Sequence, residues 1–144
     1  NQEHECLLVA RDRGRQTLDF HTGRGPASAA QLGACLRPVL APDVLLISDS
    51  ARAYQAFAAG AGILHETVNL RAGVRARGAI HLNNVNGWHS RYKTWLRRFN
   101  GIASRYLLHY SGWQRVIDDG LLRTPAQMLV TIVKCVIRHR QKTN

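Results

Sequence analysis

Between Cys6 and Thr22 the order of apolar and polar positions is that of a β-hairpin. Cys6 to Ala10 is an apolar run, Arg11-Asp12-Arg13-Gly14-Arg15 has turn character, and Gln16 to Thr22 alternates polar with apolar residues. Two adjacent antiparallel strands are expected. After a break at Gly23 to Pro26, Ser28 to Leu40 places Ala and Leu at helical spacing and ends around Pro38 to Pro42. Val44-Leu45-Leu46-Ile47 is a continuous apolar run, which predicts a strand buried on both faces with Asp49 just past its C-terminal end. A short helix over Ala51 to Ala59, stopped by Gly60 to Gly62, and a short strand over Thr67 to Leu70 follow.

Arg71 to Gly78 reads as a basic loop. Asn83 to Asn100 then carries the strongest helical period in the chain, because Trp88, Tyr92, Trp95, Leu96 and Phe99 share one apolar stripe while Asn86, Ser90, Lys93 and Arg97 lie opposite. Gly101 ends that helix. The segment to Trp113 is aromatic and basic, and a final amphipathic helix starts near Pro125 and ends in Arg138-His139-Arg140-Gln141-Lys142. Strands first, a strand-helix-strand crossover and then helices predict an α/β fold: a mixed sheet with flanking helices.

Composition supports one folded unit. The 144 residues are 45% apolar and 20% charged, enough for a hydrophobic core. The net charge of +11 points to a polyanion as partner, nucleic acid before a membrane surface. No acidic residue occurs between Glu66 and Asp118, while Arg71, Arg75, Arg77, Arg91, Lys93, Arg97, Arg98, Arg105 and Arg115 all fall there. Scattered solvated arginines are the plain alternative. Cys6, Cys35 and Cys135 are too far apart for a zinc ribbon or a disulfide framework and read as reduced, buried, cytosolic thiols. Met128 to Ile137 is interrupted by Lys134 and too short to span a bilayer, so a soluble protein is expected. The start at Asn1, without an initiator methionine, suggests a fragment of a longer product.

Two places carry candidate chemistry. Asp49 stands where open α/β sheets put ligand-binding groups, a good position for a metal ligand. Ser48, Asp49 or Ser50 could equally cap the following helix. Asn86 and Lys93 are seven residues apart, so on a helix they share a face roughly 10 Å apart along the axis. Asn offers a neutral oxygen to a hard cation and Lys meets phosphate as a point charge, whereas without other information the same stripe is a solvated helix face. Trp88, Trp95, Tyr106 and Trp113 interleave with Arg91, Arg98 and Arg105 and could stack bases, but the stripe assigns Trp88 and Trp95 to the core.

The run from Asn84 to Leu107, Asn-Val-Asn-Gly-Trp-His-Ser-Arg-Tyr-Lys-Thr-Trp-Leu-Arg-Arg-Phe-Asn-Gly-Ile-Ala-Ser-Arg-Tyr-Leu, resembles the signature of the ISXO-type insertion-sequence transposases. Leu8 to Arg13, Ser48-Asp49, Ala53-Tyr54, His65 to Asn69 and Tyr110-Ser111-Gly112-Trp113 resemble the same family in the same order. The resemblance implies an RNase H-like catalytic domain over 1–117, truncated at its N-terminal strand, with a helical extension over 118–144. It further implies a site of two aspartates and a glutamate or asparagine, the last followed seven residues later by a lysine. Asp49 then matches the second aspartate, Asn86 the third position in its asparagine form, and Lys93 the helix lysine that contacts DNA. Arg91, Lys93, Arg97, Arg98 and Arg105 become the DNA-binding set, and Asp49 and Asn86 the ligands of Mg²⁺, two ions of which would drive strand cleavage and transfer.

The partners so implied are transposon ends and target DNA, with homo-oligomerisation, in the bacterial cytoplasm at the nucleoid. The family's first aspartate lies upstream of Cys6, and Ser50 stands where relatives usually carry Gly. Weak metal binding by this chain alone, and no strand transfer, are therefore expected. A basic module that binds DNA or RNA without catalysis, or the product of a decayed element, are the competing readings.

Overall fold

The computed structural model describes residues 4–68, 76–77 and 80–131. It divides into two compact units, Asn1–Thr94 and Trp95–Asn144. The reason lies in one helix. Its apolar stripe is shared out: Trp88 and Tyr92 are buried in the first unit, while Trp95 packs on aromatic rings of the second.

The first unit opens with β1 (Glu5–Arg11) and β2 (Thr17–Arg24), an antiparallel pair with a register shift between Cys6 and Leu7. The turn between them is closed by the Asp12 carboxylate, which accepts from the Gln16 N–H at 2.7 Å, with Arg15 in the left-handed region at φ 70°. Helix α1 (Ala29–Leu36) begins in a capping box: the Gln31 N–H donates to the Ser28 hydroxyl, and the Gln31 side chain accepts from the Ser28 N–H. It ends four residues before the expected Leu40. Pro38 has no N–H to continue the ladder.

β3 (Leu45–Ser48), α2 (Arg52–Ala61) and β4 (Leu64–Thr67) form a strand-helix-strand crossover with β3 and β4 parallel. Gly60 lies inside α2 rather than ending it, and Gly62 closes it in the left-handed conformation at φ 66°. The strand expected at Thr67 to Leu70 is found earlier, at Leu64–Thr67, and Asn69 and Leu70 lie outside the described residues. Nor is β3 buried on both faces, since Leu45 is 45% exposed. Its one pairing partner among the described residues is β4, so no sheet encloses it.

One apolar cluster joins these pieces. Leu8 of β1, Leu32 and Leu36 one turn apart on α1, and Phe57 of α2 form its buried centre, with Phe20 of β2 and Leu46 of β3 against it. Burying each such Leu or Phe contributes about 1.5–3 kcal/mol relative to exposure. The thiols of Cys6 and Cys35 are half-buried rather than buried, and Cys135 lies outside the described residues. Most of the anticipated basic loop, Arg71 to Gly78, also lies outside them; Ala76–Arg77 form β5, paired antiparallel with β6 (Ile80–His81).

Helix α3 (Asn83–Leu96) follows, extended by a single 3-10 turn at Arg97–Phe99 and stopped by Asn100 at φ 50°. Trp88 is fully buried and stacks on Tyr92, centroids 5.0 Å apart. In the second unit a 3-10 turn (Ser104–Tyr106) leads into α4 (Leu107–Asp118), a helix the sequence pattern did not indicate. Residues 125–131 are helical, as expected from Pro125 onward, and the rest of that segment lies outside the described residues. Among the described residues, no helix is long and apolar enough to cross a membrane.

Candidate active-site and nucleic-acid-binding surfaces

Asp49 occupies the first residue after β3, at the C-terminal end of the parallel pair, with its side chain exposed. It does not cap α2: the capping position is Ala51, which makes no side-chain cap bond. Asp49 Oδ1 instead accepts from the Ala51 N–H at 3.1 Å, a tight local turn that holds one carboxylate oxygen.

Behind this turn, Ser48 is buried and its hydroxyl donates to the Asp49 carbonyl oxygen at 2.8 Å. That uses the one hydroxyl proton. His65 Nε2 lies 2.8 Å from Ser48 Oγ and, with the hydroxyl proton already used, donates to it, which assigns the proton of His65 to Nε2. β4 thus braces the turn that carries Asp49. Tyr54, in the first turn of α2, has its phenol pushed up to about 12, first by burial and then by electrostatic repulsion from Asp49, with a smaller contribution from Cys6. It stays a neutral hydroxyl beside the Asp49 carboxylate. Neither His65 nor Tyr54 stood out by spacing; finding the His65 brace needs the register of β3 against β4.

Asn86, Ser90 and Lys93 are exposed on α3, on the side opposite Trp88 and Tyr92, as their helical period required. The α3 sequence contains no carboxylate. His89 lies between them with its pKa lowered, first by burial and then by the positive charge of Lys93, so it adds no charge near neutral pH. The Arg91 guanidinium reaches back toward the helix: a Cβ placed on Gly87 would stand 3.4 Å from its Nη1.

Asp49, Asn86, Arg91 and Lys93 belong to the first unit, whereas Arg97, Arg98 and Arg105 belong to the second. All seven are exposed. Asp49 and Asn86 bring one formal charge. Among the described residues no group of three or more His, Cys, Asp or Glu stands together to hold a metal ion. This donor set does not fit a pair of Mg²⁺ ions, which take mostly anionic oxygens.

The family model of the ISXO2-like transposase domain matches residues 1–113. No curated protein and no solved structure matches the chain.

Proposed function

The chain belongs to the ISXO2-like transposase domain family, and from that premise we propose that it works in DNA transposition as an RNase H-like domain of the asparagine type. The domain ends near residue 117, with 118–144 an extension. Among the described residues β1–β2 and β3–β4 are separate two-stranded sheets, and what supports the reading is that the hairpin and the β3-α2-β4 crossover pack on one apolar cluster. The observation that carries the functional reading is the exposed, carboxylate-free face of α3, with Asn86 and Lys93 two turns apart, in a chain of net charge +11.

On this reading the residues divide the work. Lys93 meets a backbone phosphate as a point charge, and Arg91, Arg97, Arg98 and Arg105 add contacts that hold DNA without reading its sequence. Ser48 and His65 hold the Asp49 turn, and Asn86 presents a neutral carboxamide. Transposases of this class generally use divalent metal ions, which supply Lewis-acid chemistry at phosphate. Since the described donors do not fit two Mg²⁺, the poverty of anionic ligands favours a second reading for this chain alone: it holds DNA and does not cut it.

Fluorescence anisotropy with a labelled duplex, together with a gel assay for nicked or joined products in Mg²⁺, tests both readings. Binding without cleavage is expected. Lys93→Ala weakens binding uniformly across sequences and lowers the salt slope by about 1. Mg²⁺-dependent cleavage lost in Asp49→Asn would overturn the binding-only reading, and failure to bind any DNA would overturn the proposal as a whole.

A further inference from the structure

Helix α4 runs against the usual pattern of a surface helix. It buries Ser111 and Gln114, with neither the Ser111 hydroxyl nor Gln114 Oε1 finding a hydrogen-bond partner, while Trp113 is 51% exposed and Ile117 41% exposed. Tyr106, just before the helix, is 46% exposed. Tyr106 closes the 3-10 turn that leads into α4, and Trp113 lies seven residues further along, on the helix itself.

The Trp113 ring is held rather than loose. Trp113 meets Trp95 edge-to-face at 5.3 Å and 81°, and Phe99 and Tyr110 lie 6.0 and 6.4 Å from it. Phe99 in turn stands edge-to-face on Trp95 at 4.8 Å and on Tyr110 at 4.9 Å. Such a cluster fixes the plane of the exposed indole, because edge-to-face pairs are directional. The Arg105 guanidinium lies over the Tyr106 ring, 4.9 Å from its centroid, which brings a positive charge to that platform.

We propose that Tyr106 and Trp113 form a stacking platform for unpaired bases of single-stranded DNA. The inference rests on the DNA-binding reading above and adds the form of DNA that the second unit takes. Two features select this occupant. Among the described residues of this unit, 95–131, five Arg stand against two Asp, so its net positive charge attracts a polyanion. A second copy of the same unit would bring like charge against like. The chemistry is also right: an exposed indole or phenol flanked by arginines accepts any base on its face, and only an unpaired base offers that face.

Binding of the full chain to a labelled oligothymidylate and to a labelled duplex of equal length distinguishes the possibilities. Trp113→Leu lowers affinity for the single strand about five- to a hundredfold, leaves duplex affinity within about twofold, and Trp113→Phe recovers most of the loss. Tyr106→Leu, outside the ring cluster of Trp95 and Phe99, gives the same selective loss should Trp113→Leu prove unfolded by circular dichroism. Duplex binding with single-strand affinity unchanged in both variants overturns the platform and leaves the DNA-binding reading standing. A wild-type dimer that Trp113→Leu makes monomeric, with single-strand affinity intact, assigns the face to self-association and overturns the platform too. Binding to neither probe overturns both.

Discussion

One turn of α3 sets His89 beside Lys93, and the pair makes the stability of the first unit sensitive to acid. Burial and the Lys93 charge hold the His89 imidazole neutral below its ordinary 6.5. The unfolded chain, by contrast, takes up a proton as pH falls through 6.5. Below that value the unfolded state binds more protons than the folded one, so stability is complete at neutral pH and declines as pH falls. His89→Gln cannot titrate and escapes that share of the decline. Thermal melts at pH 7 and pH 5 are expected to show a smaller drop in midpoint for the variant than for wild type, and parallel drops would count against a buried neutral His89. Glu5 works in the same direction from the surface: its hydrogen bond from His21, offset in part by desolvation, lowers its pKa, and the contribution fades as pH falls through the folded value. At Asp49 the sequence showed the position, because an acid after an apolar run marks the end of a parallel strand. The bracing of that turn by Ser48 and His65 was not legible, since it depends on a register that no local pattern encodes.

Two glycines of the α2 segment do opposite work and can be told apart by one substitution each. Gly60 lies inside the helix, and a Cβ there meets nothing within 4 Å. Gly60→Ala should stabilise by about 0.5–1 kcal/mol, because alanine loses less backbone entropy in a helix. Gly62 closes the helix at φ 66°, where an L side chain is strained even in open space. Gly62→Ala should therefore cost about 1–2 kcal/mol. Urea unfolding of both variants reads the two signs, and equal effects would refute the assignment of Gly62 as the stop. A cluster of small residues reading Gly-Ala-Gly marks a helix end without saying which glycine bends, which is why the stop was expected over Gly60 to Gly62 as a whole. The other elements divide along similar lines. Hairpin, crossover and α3 follow from alternation, a continuous apolar run and a 3.6-residue stripe. Helix α4 does not, because it exposes Trp113 and Ile117 and buries Ser111 and Gln114, the reverse of what a core-facing stripe shows. β5 and β6, two residues each, are too short to have a period.

For the whole molecule, charge is the property that both units share. Residues 1–94 carry eleven Lys and Arg against seven acids, and residues 95–144 carry nine against two, so both units are net basic but the second far more so. Two different forces are then expected to act on DNA: ionic contacts from Arg91, Lys93, Arg97, Arg98 and Arg105, and base stacking from Tyr106 and Trp113. Salt separates them. Each neutralised phosphate releases condensed counterions and steepens the dependence of log K on log salt by about 0.9 on a duplex. If those five residues each hold one phosphate, the slope on duplex DNA is about −4.5. Replacing Arg98 with Ala should make it shallower by about 0.9, whereas Trp113→Leu should lower the single-strand binding curve as a whole and leave its slope unchanged. A duplex slope near zero would mean that the basic surface is merely solvated. A slope altered by Trp113→Leu would mean that the indole acts by positioning arginines and not by stacking, so one titration series per variant assigns each residue to its force.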